Sequence, residues 1–112
     1  MDCIFCEIAK GNLNTEFIYE DDKVVAFHDL NPQAPIHFLV IPKEHIKSAN
    51  HIDEDNLIVS HIFKVIKELA NSMGFAEKGY RVINNCGEDG GQTVEHLHYH
   101  VLAGRNLQWP PV

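Results

Sequence analysis

The sequence predicts an α+β domain: a five-stranded antiparallel sheet with one long helix and a short N-terminal helix. Three observations lead there. Five short apolar runs are bounded by Gly, Pro, Asn and Asp, most neighbouring runs are joined by short loops, and only one long stretch carries helical periodicity.

Each element follows from its own pattern. Residues 5–10 suit a short helical turn that ends near Gly11. Residues 16–20 and 23–29 read as two strands turning at Asp21-Asp22, a hairpin. The segment from Asp29 to Pro35 is a loop with two prolines, and it feeds an apolar run over 36–41 that Pro42 stops. From 53 to 73, Ile58, Ile62, Val65, Ile66, Leu69 and Met73 recur every three or four residues, the signature of an amphipathic helix about five to six turns long. Asp53 suits its N-cap, with Glu54 and Asp55 in the first turn, and Gly74 suits the C′ position. Residues 80–85 read as a strand, followed by a glycine-rich loop over 86–93 and a last strand over 96–102.

With 112 residues, 45% of them apolar, residues 1–112 can enclose one core and not two. The formal charge of −7 argues against nucleic acid, whose binding needs a basic stripe, but allows a small anion held locally. No stretch approaches the roughly 20 apolar residues of a membrane span. The start lacks the basic region and apolar run of a signal peptide, and three cysteines form no disulfide framework, so a cytoplasmic, reducing location is expected.

The last strand carries the chemistry. His96, His98 and His100 alternate with Leu97, Tyr99 and Val101, so a strand puts the imidazoles on one face and the apolar residues on the other. His96 and His100 would lie roughly 13–14 Å apart at Cα, so the three cannot readily share one zinc. The row instead suits a central imidazole acting as nucleophile or base between neighbours that bind or orient. Three solvated histidines on a strand face are the bland alternative. Unperturbed imidazole, with a pKa of about 6.5, is largely neutral and nucleophilic near pH 7. A hydrogen bond from one ring nitrogen to a backbone carbonyl would leave the other as the attacking lone pair.

The remaining signals are weaker alone. The loop Gly87-Glu88-Asp89-Gly90-Gly91-Gln92-Thr93 allows close backbone approach and could form a phosphate nest, yet it lacks the P-loop lysine and precedes a strand. Cys3-x-x-Cys6 supplies half a zinc site or two packed thiols. His28, His51 and His61 read as surface or packing residues, and Cys86 as small buried filler. The tail 105–112, with Trp109-Pro110-Pro111, is too apolar for a free end and suits docking on its own domain or on another copy.

The run from Gln92 to Leu102 resembles the signature of the histidine triad (HIT) superfamily. Cys3-Ile4-Phe5-Cys6, Phe27-His28-Asp29, Pro32-Gln33-Ala34-Pro35, His37 to Lys43, Asp89 to Gln92 and Trp109-Pro110-Pro111 extend the likeness over nearly the whole chain, towards the Hint-type nucleotide-binding branch. The resemblance implies hydrolysis of a purine nucleoside 5′-phosphoramidate through a covalent nucleotidyl-histidine. The alternatives are a purine-nucleotide-binding regulatory module with little catalysis and a dinucleoside polyphosphate hydrolase. By that likeness His98 is the nucleophile, and His100 and His37 sit beside the phosphate. Asn85, Gly91, Gln92 and Thr93 line the phosphate and leaving group, and Asp29 accepts the ribose hydroxyls. Phe5, Ile8, Phe27, Leu30 and Leu39 form the base pocket. Thr93 stands where serine is usual, keeping the hydroxyl and adding a methyl group. The likeness also implies that His45 and His96 join Cys3 and Cys6 around a structural zinc, with no cofactor required for catalysis. It further implies a two-fold homodimer in which the sheet continues across the axis and the tail lies at the interface.

Overall fold

The computed structural model describes residues 3–111. Two helices and five strands follow one another as α1 (Ile4–Ala9), β1 (Phe17–Glu20), β2 (Val24–His28), β3 (Ile36–Pro42), α2 (Ile58–Ser72), β4 (Arg81–Ile83) and β5 (Tyr99–Ala103), with a 3-10 turn at Ala49–His51 before α2. The strands form one sheet in the order β1-β2-β3-β5-β4, every neighbouring pair antiparallel. The expected α+β class and its five strands are thus observed.

Strand alternation divides the core in two. Val24, Ala26, Phe38, Val40, Leu97, Tyr99, Val101 and Ala103 pack with the α2 residues Ile58, Ile62, Val65, Ile66 and Leu69. Their sheet neighbours Val25, Phe27, Leu39 and Ile41 join Cys3, Phe5, Ile8 and Ala9 in a second cluster with α1. Period two along β2 and β3 therefore feeds alternate side chains to opposite layers.

The hairpin turns on Asp21, whose Oδ1 accepts the Lys23 and Val24 N–H groups at 2.7 and 2.9 Å. Its Oδ2 accepts from the Tyr19 hydroxyl at 2.8 Å and from His61 Nε2 at 2.7 Å, tying α2 to the turn. Burial alone would raise the Asp21 pKa, but these four hydrogen bonds outweigh it and hold the carboxyl far below its ordinary range. Tyr19, donating to that carboxylate, has its pKa pushed up to about 12.

Three expectations are corrected. Helix α2 begins at Ile58, so Asp53 is not its N-cap: Asp53 O accepts the Asn56 N–H at 2.9 Å, and Asn56 Oδ1 accepts the Ile58 N–H at 2.9 Å. A local side-chain turn replaces the first helical turns, leaving 15 residues, about four turns. At the other end Gly74 sits at φ +84°, and both its N–H and that of Phe75 bond to Ala70 O, the C′ role foreseen for it. The histidine strand starts only at Tyr99, because the Leu97 N–H is given to Ile46 O at 2.6 Å and the Asn84 side chain donates to His98 O at 3.0 Å. Cys86 is half-buried and not enclosed. In the tail, Gln108 O accepts from Arg81 while Trp109 remains 80% exposed. Among the described residues no helix is long and apolar enough to cross a membrane.

Candidate active site

The layer under α1 is where the histidines gather. In β3, His37 alternates with Phe38, so it shares a face with Leu39 and Ile41, and the register sets it against Leu102 and Leu39 against His100. His98 stands just before β5, its ring 5.1 Å from Phe5 in an edge-on arrangement and 5.2 Å from His100. Although the strand is shorter than expected, the alternation holds, since Leu97, Tyr99 and Val101 all enter the opposite core.

Hydrogen bonds assign the proton on each ring. His98 Nδ1 lies 2.7 Å from His96 O, an acceptor only, so Nδ1 carries the hydrogen and Nε2 of the neutral ring is a bare lone pair. His37 is the reverse case. Its Nδ1 accepts the Gln33 N–H at 3.0 Å, so its hydrogen is on Nε2 and points at His100 Nδ1, 2.9 Å away. His100 Nδ1 is then the acceptor, and its own hydrogen sits on Nε2. Two adjacent imidazoles thus present complementary nitrogens: His98 Nε2 without a proton and His100 Nε2 with one.

Electrostatics keep His100 in that state. Burial, reinforced by the like charge that His98 and His37 would add, pushes its pKa down to about 4, against a smaller opposing pull from Asp29. The Asp29 carboxylate lies 3.4 Å from His37 Nε2 and 3.9 Å from His100 Nδ1, and its other oxygen accepts the Asn31 N–H at 2.7 Å. Asp29, His37 and His100 lie close enough together to hold an ion. The Gln33 hydrogen bond argues otherwise, because a ligating histidine donates from its far nitrogen and binds through the near one, and His37 has that polarity reversed.

A second cluster has the polarity a metal requires. His96 is fully buried, and its Nε2 donates to Pro42 O at 2.8 Å, leaving Nδ1 bare. That Nδ1 lies 3.3 Å from Cys3 Sγ, 3.5 Å from Cys6 Sγ and 3.2 Å from His45 Nδ1, which is itself 3.2 Å from Cys6 Sγ. Zinc–nitrogen bonds of about 2.0–2.1 Å and zinc–sulfur bonds of about 2.3 Å place tetrahedral ligands roughly 3.3–3.8 Å apart, so the four donors fit with small adjustment. Burial above all lowers the His96 pKa, with His45 and His98 adding to it, and keeps the lone pair free. Burial also raises the pKa of the Cys6 thiol, and the neighbouring Cys3 raises it further.

The other expected residues divide. Phe5, Ile8, Phe27 and Leu39 come together beside His98, with Phe5 and Phe27 edge to face at 5.8 Å, whereas Leu30 is fully exposed at 102% and joins no wall. In the glycine loop, Gly91 N–H bonds to Glu88 O and Gln92 N–H to Gly87 O. The Gln92 side chain accepts from Gly87 N–H and donates to Lys47 O and Val94 O. These groups brace the loop instead of forming an open nest. Asn85 and Thr93 make no side-chain hydrogen bond among the described residues; Thr93 lines a cleft with Cys3, His45 and Lys47. The sequence reading missed the groups that fix the tautomers, the Gln33 N–H and the carbonyls of Pro42 and His96, and the Asn84 side chain that holds the His98 backbone carbonyl. Only Asn84, adjacent to Asn85, left a signal that could have been followed.

Comparison with known proteins agrees with this arrangement. The HIT domain family matches residues 10–107. An uncharacterized HIT-like protein of Synechococcus elongatus is 45% identical over 98% of this chain and 96% of its own length. Two solved structures superpose closely. A histidine triad protein from Clostridium difficile is 57% identical, with a TM-score of 0.94, covering 96% of this chain and 95% of that one. A HIT family hydrolase from Legionella pneumophila is 42% identical, with a TM-score of 0.96, covering 99% and 100%. The chain therefore belongs to the HIT domain family.

Proposed function

We propose that this chain hydrolyses purine nucleoside 5′-phosphoramidates through a nucleotidyl-histidine intermediate on His98. The observation that carries the reading is the opposed polarity of the two neighbouring imidazoles, an unprotonated nitrogen on His98 and a protonated one on His100. In the first step His98 Nε2 forms a bond to the α-phosphorus as the P–N bond breaks. The departing nitrogen takes a proton relayed from solvent through the Thr93 hydroxyl and leaves as an amine, while the neutral His100 keeps its Nε2–H as a hydrogen-bond donor to the phosphate oxygens. Water then forms a bond to phosphorus and releases a proton to solvent, the P–N bond to His98 breaks to restore the neutral ring, and the mononucleotide departs. The positive charge His98 acquires when Nε2 is nucleotidylated is stabilised by its Nδ1–H bond to His96 O.

In this reading Phe5, Ile8, Phe27 and Leu39 underlie the base. Asp29, the carboxylate nearest the imidazole pair, accepts the ribose hydroxyls, and Asn85, Gly91, Gln92 and Thr93 border the phosphate. The hydrolase name of the Legionella relative, with which this chain shares its full length, agrees with the class of reaction. Replacing His98 with Ala is expected to lower turnover of an adenosine phosphoramidate by about 10³-fold or more while preserving mononucleotide binding. Unchanged turnover would reject the nucleophile. Binding with no turnover by the unaltered chain would favour the regulatory module, and preference for a dinucleoside polyphosphate would favour the other hydrolase.

Cys3, Cys6, His45 and His96 would hold a structural zinc, an ion that braces the junction of α1 with the end of β3. We further take the working form to be a cytoplasmic homodimer whose sheets join at β4, one of the two edge strands and the one Arg81 ties to the tail, with the exposed Trp109 at the contact.

A further inference from the structure

His96 belongs to two neighbourhoods at once. Its ring stands in the cluster with Cys3, Cys6 and His45, and its backbone carbonyl, 2.7 Å from His98 Nδ1, holds the tautomer of the nucleophile. Every polar group of this fully buried residue is engaged: Nε2–H with Pro42 O at 2.8 Å, the backbone N–H with Val94 O at 2.8 Å, the carbonyl with His98, and Nδ1 with the cluster. A ring so enclosed cannot turn at the cluster without disturbing the carbonyl that orients His98.

Helix α1 makes a second connection. It has only six residues, well short of the roughly 12 that a helix needs to persist alone, so its place depends on what holds it. Two of the four cluster residues do so: Cys3 is its N-cap, with Sγ accepting the Cys6 N–H at 3.3 Å, and Cys6 Sγ lies 3.2 Å from His45 Nδ1. Phe5, between those cysteines, sets its ring edge-on to His98 at 5.1 Å and to His96 at 5.9 Å, and Ile8, one turn on, packs into the same layer. Two members of the wall beneath the base thus ride on a helix tethered through the cluster. An ion bound by the four residues would fix that wall before a nucleotide arrives, and so remove part of the ordering cost of binding.

We propose that His96 and Phe5 couple the Cys3-Cys6-His45-His96 cluster to the nucleotide site, so that zinc and a mononucleotide each strengthen the other's binding. The coupling rests on the structural zinc and on nucleotide binding beside His98. Adenosine 5′-monophosphate is titrated by calorimetry into the full chain loaded with zinc and into the chain stripped by a chelator, and zinc affinity is measured against a chromophoric chelator with and without saturating nucleotide. The mononucleotide binds the loaded chain about fivefold or more tighter, and it raises zinc affinity by the same factor, as linkage requires. Phe5→Leu keeps all four ligands and lowers that factor towards one. Should the stripped chain unfold, cobalt(II) in place of zinc carries the test: saturating nucleotide shifts the cobalt–thiolate absorption of the parent, and shifts that of Phe5→Leu less. Zinc and nucleotide that bind independently, a cobalt spectrum that the nucleotide leaves unmoved, or a factor undiminished in Phe5→Leu overturns the coupling and leaves both sites standing. A chain that binds no zinc, or no mononucleotide when loaded, overturns the assignment of that site and the coupling with it.

Discussion

Replacing His100 with Gln should make the protein less sensitive to acid, although a polar contact in the site is altered. The folded His100 has its pKa pushed down to about 4, mainly by burial, against about 6.5 in an unfolded chain. At pH 7 both states hold the ring neutral, and it contributes almost nothing to the pH dependence. At pH 5 the unfolded ring is largely protonated while the folded ring is not, so the unfolded state binds more protons and stability falls. Between pH 7 and pH 5 that linkage amounts to about 2 kcal/mol. Because 19% of the side chain meets solvent, the effect is discounted to about 1–2 kcal/mol. Gln keeps an acceptor for His37 Nε2–H and cannot titrate. Urea denaturation followed by far-ultraviolet circular dichroism, at both pH values and constant ionic strength, should show the variant losing about 1–2 kcal/mol less than the parent. Equal losses in the two proteins would refute the claim that burial holds this imidazole neutral.

Three further outcomes follow from other parts of the fold. Asp21→Asn should cost about 1–3 kcal/mol at pH 7, since four hydrogen bonds lose their charged acceptor. With its folded pKa depressed, the Asp21 carboxylate stabilises above about pH 4 and that contribution is lost below it, so the parent and variant should converge in acid; parallel curves would contradict this. Gly90→Ala places a Cβ 2.5 Å from Cys86 O, a backbone atom, so the loop must shift; faster hydrogen exchange at the Gln92 amide is expected, and unchanged protection would count against the packing. Cys6→Ser should reduce bound zinc, measured by atomic emission after dialysis, from about one per chain to a small fraction, whereas equal content in parent and variant would remove the metal assignment.

Much of the architecture was legible because it rests on periodicity. The alternation in β2 and β3 and the three- and four-residue spacing along α2 each dictate which side chains face which layer, and no distant partner is needed to read them. Boundaries were less legible. Whether the helix follows Asp53 or starts later depends on which side chain captures a free N–H: Asn56 takes that of Ile58, and the cap position falls on Leu57, a residue whose type does not mark it as a cap. At the site, spacing marked the triad and the Cys3-x-x-Cys6 pair, whereas His37, Asp29 and His45 were named only through the family resemblance. That His96 belongs to one cluster and His98 to another depends on a β-strand partner more than fifty residues away, since Pro42 O orients the first ring. Leu30 shows the opposite failure, an apolar residue expected in a wall that the chain leaves in solvent.

Rapid quenching of the enzyme during turnover of an adenosine phosphoramidate, followed by peptide mass spectrometry, tests the central claim most directly. The account predicts a nucleotidyl group on His98, absent from the His98→Ala protein and present in a His37→Ala protein at a reduced rate of formation. An adduct on His100 or on Cys86, or turnover in which no adduct forms on any residue, would contradict it.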